Sequence, residues 1–245
     1  MKNIKLIIEY DGTNYYGWQK QPDGNTVQQK IEKAISEVTG ETIDLIGCSR
    51  TDSGVHATGY VANFYTNSTI PGEKFYIVIN QKLPKDIVVI KSEEVDKEFH
   101  ARFSSKGKTY CYSILNQPIR SPLDSRYYHH IYKPLNIELM IEGSKYMIGE
   151  KDFKAFQNNG SEVNSTVRTI KDIKIEKDEN YIKIYVTGDG FLYNMVRIIS
   201  GTLVEVGIGK LQPEDIQNII ESKKRENAGK TLPPQGLYLV SVEYE

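Results

Sequence analysis

The sequence predicts an α+β fold built from two split-βαβ (ferredoxin-like) halves, joined through a mostly antiparallel sheet with helices on its outer face and a central cleft. Two observations lead to this prediction. The first hundred residues alternate strand-like and helix-like patterns in the order β-α-β-β-α-β, and the second half contains the same types of element. No low-complexity linker separates the halves, and we place their boundary between residues 1–105 and residues 106–245.

Patterns in the first half support this order of elements. Residues 4–10 alternate apolar and polar side chains, which predicts a strand. Thr26 is a suitable N-cap for an amphipathic helix that ends at Gly40. The other predicted elements are two strands on either side of a polar turn, a short helix and a further strand, at residues 43–46, 60–65, 73–82 and 87–90.

The second half begins with a strand and a helix, continues with a hairpin and two helices, and ends with a strand. These elements are predicted at residues 108–116, 137–148, 170–176, 181–187, 191–206, 213–222 and 237–244. The hairpin turns at Asp178-Glu179-Asn180, and Pro213 suits the first turn of the helix that it precedes.

Composition indicates a globular chain. Hydrophobic residues make up 39% of it and charged residues 26%, and no apolar run approaches the roughly 20 residues that cross a bilayer. The beginning lacks a signal-peptide pattern. Cys48 and Cys111 do not suggest a disulfide framework, and the four histidines do not form a metal-ligand pattern. We therefore expect a cytoplasmic protein with reduced thiols, no membrane contact and no bound metal.

The segment from Gly47 to Thr58 is the first candidate site of chemistry. It contains Arg50 and Asp52, and a neighbouring cation keeps a carboxylate ionised and oriented. An ionised aspartate can attack an electrophilic carbon or stabilise a cationic, sugar-like transition state. His56 lies in the same segment and suits a turn, the core or a general base. The alternative is a hairpin loop in which Asp52 caps backbone N–H groups.

The predicted helix from Phe191 to Val206 is apolar on almost every face, which indicates a buried helix. Arg197 lies in its middle, and a buried arginine needs a partner. One interpretation is that Arg197 meets Asp52 across a cleft. The other is that its guanidinium reaches solvent at the edge of the helix.

Tyr110 follows the basic residues Lys106 and Lys108 on a predicted strand. An aromatic ring beside basic side chains suits base stacking and phosphate contact, although a strand tyrosine can equally be a core residue. Neither the dinucleotide fingerprint nor the phosphate-binding loop of nucleotide triphosphatases is complete anywhere in the chain.

With these residues in view, the sequence closely resembles the tRNA pseudouridine synthase A family over nearly its whole length. The blocks that carry the resemblance are Tyr10-Asp-Gly12, Gly17-Trp-Gln19, Ser49-Arg-Thr-Asp-Ser-Gly-Val-His-Ala57, Phe99-His-Ala-Arg-Phe103, Lys106-Gly-Lys-Thr-Tyr110, Gly190-Phe-Leu-Tyr-Asn-Met-Val-Arg197 and Pro233-Pro-Gln-Gly-Leu237. The chain departs from the family pattern at Ser49, Ser53 and Asn194, where Gly, Ala and His are usual. The aspartate, tyrosine and arginine positions match.

The resemblance implies an isomerase that converts uridine to pseudouridine at nucleotides 38 to 40 of the tRNA anticodon stem-loop. By position, Asp52 matches the catalytic aspartate, Tyr110 the tyrosine that stacks on the base and Arg197 the arginine that pairs with the aspartate. Arg50 matches a residue that helps to open the stem and hold the target nucleotide out. The family works as a homodimer, with one tRNA touching both subunits, and uses no cofactor.

The formal net charge of −1 is unusual for a protein that binds RNA. The interpretation therefore requires basic side chains to gather on one face or across a dimer: Arg50, Arg102, Lys106, Lys108, Arg120, Arg126, Arg168 and Lys210. Two rival classes remain. A non-catalytic RNA-binding module needs the tyrosine and the basic residues but not the Asp52–Arg197 pair. A glycoside or nucleoside hydrolase needs a second carboxylate, for which Asp11 is a distant candidate.

Overall fold

The computed structural model describes residues 1–22, 24–160 and 163–244. The chain divides into two compact units, Met1–Lys106 with Tyr238–Glu245, and Gly107–Leu237. The sequence grouped residues 106–245 together, but the final strand belongs with the first unit because its backbone pairs with a strand there. That pairing joins residues far apart in the sequence, so local patterns carry no sign of it.

The first unit combines strands and helices. Its elements are β1 (Lys2–Tyr10), α1 (Val27–Thr39), β2 (Ile46–Gly47), β3 (His56–Thr66), α2 (Phe75–Asn80), β4 (Ile87–Val95) and the last strand of the chain, β10 (Leu237–Glu243). Strand β1 lies between β4 and β3 and is antiparallel to both. The short strand β2 is antiparallel to β3, whereas β10 is parallel to it, with Tyr238 opposite His56 and Leu239 opposite Ala57.

The second unit has its own layer of strands and helices. Its elements are β5 (Gly107–Asn116), β6 (His129–Ile131), α3 (Ile137–Lys145), β7 (Gly149–Asp152), β8 (Val167–Asp178), β9 (Tyr181–Gly188), α4 (Met195–Gly207) and α5 (Asp215–Ser222). The strand order is β5-β9-β8-β7, with antiparallel neighbours throughout, and β6 adds to β5 in parallel. Each unit therefore mixes helices with a mostly antiparallel sheet, which confirms the predicted α+β class.

The predicted helix after Thr26 is confirmed. The Thr26 side chain and the side chain of Gln29 cap each other's backbone N–H groups, and Gly40 ends α1 with a left-handed φ of 74°. The three local signals, a cap, an amphipathic repeat and a terminal glycine, agree with one another, and a helix with such consistent signals is predictable from sequence.

Three predicted boundaries next to the candidate site residues are wrong. The helix expected from Phe191 begins only at Met195, because Asn194 has a φ of 61° and interrupts the helical geometry. Arg197 is consequently in the first turn of α4 and not in its middle. Strand β3 starts at His56, so His56 belongs to a strand and not to the turn, and the expected strand at 43–46 is reduced to Ile46–Gly47.

Within residues 1–22, 24–160 and 163–244, every helix is too short or too polar to cross a membrane.

Candidate active site

The loop between β2 and β3, residues 48–55, rests on three aromatic side chains. The rings of Trp18 and Tyr60 stack at 3.7 Å, and the ring of Tyr10 lies 6.1 Å from Trp18 and 5.9 Å from Tyr60. All three are buried. A Cβ atom at Gly47 would lie 2.5 Å from the indole nitrogen of Trp18, so only glycine lets the chain pass this close to the rings.

Hydrogen bonds fix both ends of this loop. The hydroxyl of Tyr60 donates to the carbonyl of Ser49. The carbonyl of Thr51 accepts from the backbone N–H of Trp18 at 3.1 Å, and the hydroxyl of Thr51 lies 2.8 Å from that of Tyr10. The hydroxyl of Ser53 donates to the carbonyl of Tyr15 at 3.1 Å. The loop backbone is therefore fixed before any ligand arrives.

Arg50 and Asp52 flank this buried anchor. Thr51 is only 8% exposed, whereas Arg50 is exposed and Asp52 is partly exposed. The loop thus buries its middle residue and leaves the two charged neighbours accessible. Asp52 thus has a carboxylate on a fixed backbone, and a single residue separates it from the guanidinium of Arg50. Such a carboxylate is suited to act on a bound molecule.

His56 is a structural residue of the first unit. It is 1% exposed, its ring stacks on Tyr238 at 4.8 Å, and its Nδ1 accepts from the backbone N–H of Gly12 at 3.0 Å. An Nδ1 that accepts this bond carries no proton, so the 3.2 Å contact with the carboxylate of Asp11 is not an ion pair in that tautomer. His56 fixes the chain next to the loop.

Tyr110 lies on β5 of the second unit. It is 7% exposed, and its ring meets Phe191 edge to face at 5.2 Å. Lys108, two residues earlier on the same strand, is partly exposed opposite Gly188. Lys106 is exposed and belongs to the first unit, where its N–H donates to the carbonyl of Glu243 at 2.8 Å.

The guanidinium of Arg197 is held by its own unit. Its Nε donates to the carbonyl of Leu232 at 2.6 Å, and its Nη1 donates to the side-chain oxygen of Asn194 at 2.5 Å. A cation in the first turn of a helix opposes the helix dipole at a cost of about 0.3–1 kcal/mol. The charge of Arg197 therefore does not add to the stability of α4 through the helix dipole.

Within the first unit, Arg50, Asp52 and His56 lie close together in the chain but differ in exposure: Arg50 is exposed, Asp52 is partly exposed and His56 is buried. Within the second, Tyr110 and Arg197 lie on separate elements, β5 and α4. Sequence reasoning missed the aromatic support of the loop. One sign of this support was present in the sequence. Tyr10 and Trp18 both lie in blocks that match the family, but neither residue had been given a role.

Comparison of the sequence with known proteins shows which family the chain resembles. The sequence profile of the family described as tRNA pseudouridine synthase matches residues 6–104 and 144–245. The chain is 59% identical over 244 residues to tRNA pseudouridine synthase A 2 of Clostridium perfringens, 56% identical to tRNA pseudouridine synthase A of Clostridium acetobutylicum and 54% identical to that of Acetivibrio thermocellus. Each alignment covers 100% of both proteins.

A family profile that spans most of the chain and relatives this similar define a class of RNA-modifying isomerase. The chain belongs to the tRNA pseudouridine synthase family, which confirms the resemblance drawn from its motifs.

Proposed function

We propose that this chain converts uridine to pseudouridine at nucleotides 38 to 40 of the tRNA anticodon stem-loop, with Asp52 as its catalytic carboxylate. One observation carries the proposal: a partly exposed aspartate stands beside a buried threonine on a loop held by three aromatic rings. The anchor at Thr51 limits the positions that the backbone of Asp52 can take, which suits a carboxylate that must reach one atom of a bound nucleotide.

The reaction rearranges bonds within one nucleotide. The glycosidic C1′–N1 bond breaks, the uracil turns in place, and a C1′–C5 bond forms. N1 gains a proton and C5 loses one, so no electrons are transferred and no group is lost. A carboxylate can take part by adding to C1′, by adding to C6 or by removing a sugar proton to give a glycal, and each of these routes requires it to be ionised.

Arg197 and Tyr110 supply the other catalytic roles. We propose that the guanidinium of Arg197 pairs with Asp52, which keeps the carboxylate ionised. A guanidinium has five N–H donors, and the bonds from Nε to Leu232 and from Nη1 to Asn194 set its direction. The ring of Tyr110 stacks on the target base, and its edge-to-face contact with Phe191 fixes the orientation of that ring.

The basic residues open and hold the RNA. The target base must leave the stack at a cost of a few kcal/mol, and an aromatic face with nearby cations offsets that cost. Arg50 holds the extruded nucleotide, and Lys106 and Lys108 contact phosphates. His56 is buried and supports the loop, so its contribution to substrate binding comes through the position of that loop.

The remaining features carried over from the family are proposals of the same kind. The protein acts in the cytoplasm as a homodimer, with one tRNA touching both subunits, and needs no cofactor. Each unit is one split-βαβ half, and the catalytic groups face a cleft. A dimer would also bring together basic side chains from two copies, which fits a chain whose own net charge is −1.

The test is release of tritium from tRNA labelled at C5 of uridine. Asp52→Ala is expected to abolish release and to leave tRNA affinity within several-fold of wild type. Asp44→Ala is the matched control, because Asp44 is an exposed carboxylate that precedes the same loop. Turnover by Asp52→Ala close to that of Asp44→Ala would rule out Asp52 as the catalytic carboxylate.

The reaction products separate this proposal from its two rivals. Incubation with unmodified tRNA should yield pseudouridine and no free base. Free uracil would indicate a hydrolase, and binding without either product would indicate an RNA-binding module.

A further inference from the structure

Arg197 is bound on two sides by one residue of a distant segment. Its Nε donates to the carbonyl of Leu232 at 2.6 Å, and the N–H of Leu232 donates back to the carbonyl of Arg197 at 3.3 Å. We call residues 228–236 the strap. The reciprocal pair means that any shift of the strap at Leu232 also turns the guanidinium.

The strap lies directly on the backbone of α4. A Cβ atom at Gly229 would be 2.6 Å from the carbonyl carbon of Gly201, and one at Gly201 would be 3.0 Å from that of Lys230. The N–H of Gly229 donates to the hydroxyl of Thr202 at 2.9 Å. Two facing glycines therefore allow a backbone-to-backbone contact that side chains would prevent.

Arg225 binds the strap upstream of Leu232. Its Nη1 donates to the carbonyl of Gly229 at 2.9 Å, its Nη2 donates to the hydroxyl of Thr231 at 2.9 Å, and its Nε donates to the side-chain oxygen of Asn158 at 2.9 Å. The amide nitrogen of Asn158 donates to the same Thr231 hydroxyl at 3.1 Å. The planar guanidinium thus connects three groups that a lysine could not reach together.

Tyr112 binds the strap downstream of Leu232. Its ring is fully buried, and its hydroxyl donates to the carbonyl of Pro233 at 2.8 Å. A Cβ atom at Gly236 would lie 2.8 Å from the Cζ atom of the ring. Burial raises the pKa of Tyr112, and the positive charge of Arg197 opposes this rise, so the two side chains are within electrostatic reach.

We infer that Arg225, Asn158, Thr231 and Tyr112 are positioning residues that aim the catalytic guanidinium through the carbonyl of Leu232. The inference rests on the proposed role of Arg197. Arg225 holds the strap before Leu232 and Tyr112 holds it after Leu232, so the carbonyl of Leu232 has one position. That position determines the direction of the Nε–H bond of Arg197. A misplacement of about 1 Å in a catalytic group can cost on the order of 100-fold in rate, so such fixation matters for turnover.

A strap that only stabilised the fold would behave differently from one that aims Arg197. Loss of fold stability reduces the amount of active enzyme. Incorrect orientation of the Arg197 guanidinium reduces the rate constant of each active molecule. When active enzyme is in excess and saturates the tRNA, the single-turnover rate constant does not depend on the fraction of enzyme that is active. It therefore reports the orientation of the Arg197 guanidinium and not the amount of folded enzyme.

The experiment measures single-turnover tritium release by Tyr112→Phe and Arg225→Met. Both rate constants are expected to fall about tenfold, with tRNA affinity within twofold of wild type, because a partly freed catalytic group loses part of its pre-organisation. Arg225→Lys keeps the charge but not the planar fork, and its rate is expected to stay low. The matched controls are Tyr181→Phe, which removes a hydroxyl that donates to Asp124 in the same unit, and Lys223→Met, which removes a nearby cation bound to Asp152.

A double-mutant cycle with Arg197→Met links the effect to Arg197. Tyr112→Phe is expected to slow wild type but not the Arg197→Met enzyme, because the aimed group is already absent. An equal further loss in that background, or wild-type rates for both strap variants, would overturn the inference. Full activity of Arg197→Met would instead overturn the proposed role of Arg197, so the two failures are distinguishable.

Discussion

The hydroxyls of Tyr10 and Thr51 lie 2.8 Å apart in the interior of the first unit, although 41 residues separate them in the chain. Tyr10 is the last residue of β1, and Thr51 is the buried residue between Arg50 and Asp52. The bond therefore ties the rigid first strand to the middle of the loop that we propose carries the chemistry. Asp52 directly follows this anchored residue in the chain.

Removal of the Tyr10 hydroxyl should loosen the loop without emptying the core. We expect Tyr10→Phe to reduce the free energy of unfolding by about 0.5–1.5 kcal/mol, the usual value of one hydrogen bond, and to reduce kcat several-fold. Urea unfolding and tritium release measure the two effects. Tyr65→Phe is the control, because the Tyr65 hydroxyl donates to the carbonyl of Lys97, away from the loop. Equal kcat values for the two variants would contradict the proposed anchor.

Gly17 and Gly40 form a matched pair for a steric test. Both have a left-handed φ, of 87° and 74°, but only Gly17 faces the loop: a Cβ atom there would collide with the carbonyl of Thr51 and lie 3.1 Å from the carbonyl carbon of Asp52. A Cβ atom at Gly40 would meet nothing within 4 Å.

We expect both alanine variants to lose about 1 kcal/mol of unfolding free energy through backbone strain, and Gly17→Ala to lose more because its methyl group collides with the carbonyl of Thr51. Only Gly17→Ala should lose most of its activity, since only its new methyl group displaces the loop. Thermal unfolding and initial rates measure the two effects. If Gly40→Ala lost as much activity as Gly17→Ala, the steric explanation would be wrong.

Glu93 links stability to pH. Hydrogen bonds from Lys91 and then Lys5 lower the pKa of its carboxyl group below its usual value. A folded-state pKa below the unfolded one means that the ionised group stabilises the fold at neutral pH. This contribution is lost as the pH falls through the lower, folded-state pKa.

We expect Glu93→Gln to lower the unfolding free energy at pH 7 by only a few tenths of a kcal/mol, because the pair is partly exposed. The difference from wild type should shrink once the pH falls below the usual pKa of about 4.3, and it should disappear at a pH that lies below the lowered folded-state pKa as well. Glu94→Gln, an exposed neighbour, serves as the control. Denaturant titrations at neutral pH and at this low pH measure the effect, and a difference that persisted at the low pH would contradict this assignment.

Arg50 is exposed beside Asp52, and its proposed partner is RNA. We expect tRNA affinity to fall steeply with salt, and Arg50→Gln to reduce the slope of log affinity against log salt by about 0.7–0.9, one phosphate contact. Lys33→Gln removes an exposed cation of α1 and should leave the slope unchanged. Filter binding between 50 and 200 mM salt, a range over which phosphate contacts dominate, measures both slopes. Identical slopes for the two variants would place Arg50 outside the RNA contact.

Local signals accounted for much of the fold. Thr26 and Gly40 mark the ends of α1, and the hairpin of β8 and β9 turns at Glu179 and Asn180, as predicted. The signals failed where a distant contact or an unusual backbone geometry decided the outcome. Asn194 delays the start of α4 through its left-handed φ, and β10 returns to β3. Neither feature produces a periodic pattern.

The sequence by itself determined the family, because its blocks around Asp52 and Arg197 are specific, and it determined the α+β class through hydrophobic periodicity. Only the tertiary structure decided that Thr51 is buried while its charged neighbours are accessible, that His56 lies in the interior, and that Leu232 binds Arg197. These facts depend on groups that lie far apart in the chain. Periodicity describes one element at a time, whereas the direction of a side chain depends on every element packed around it.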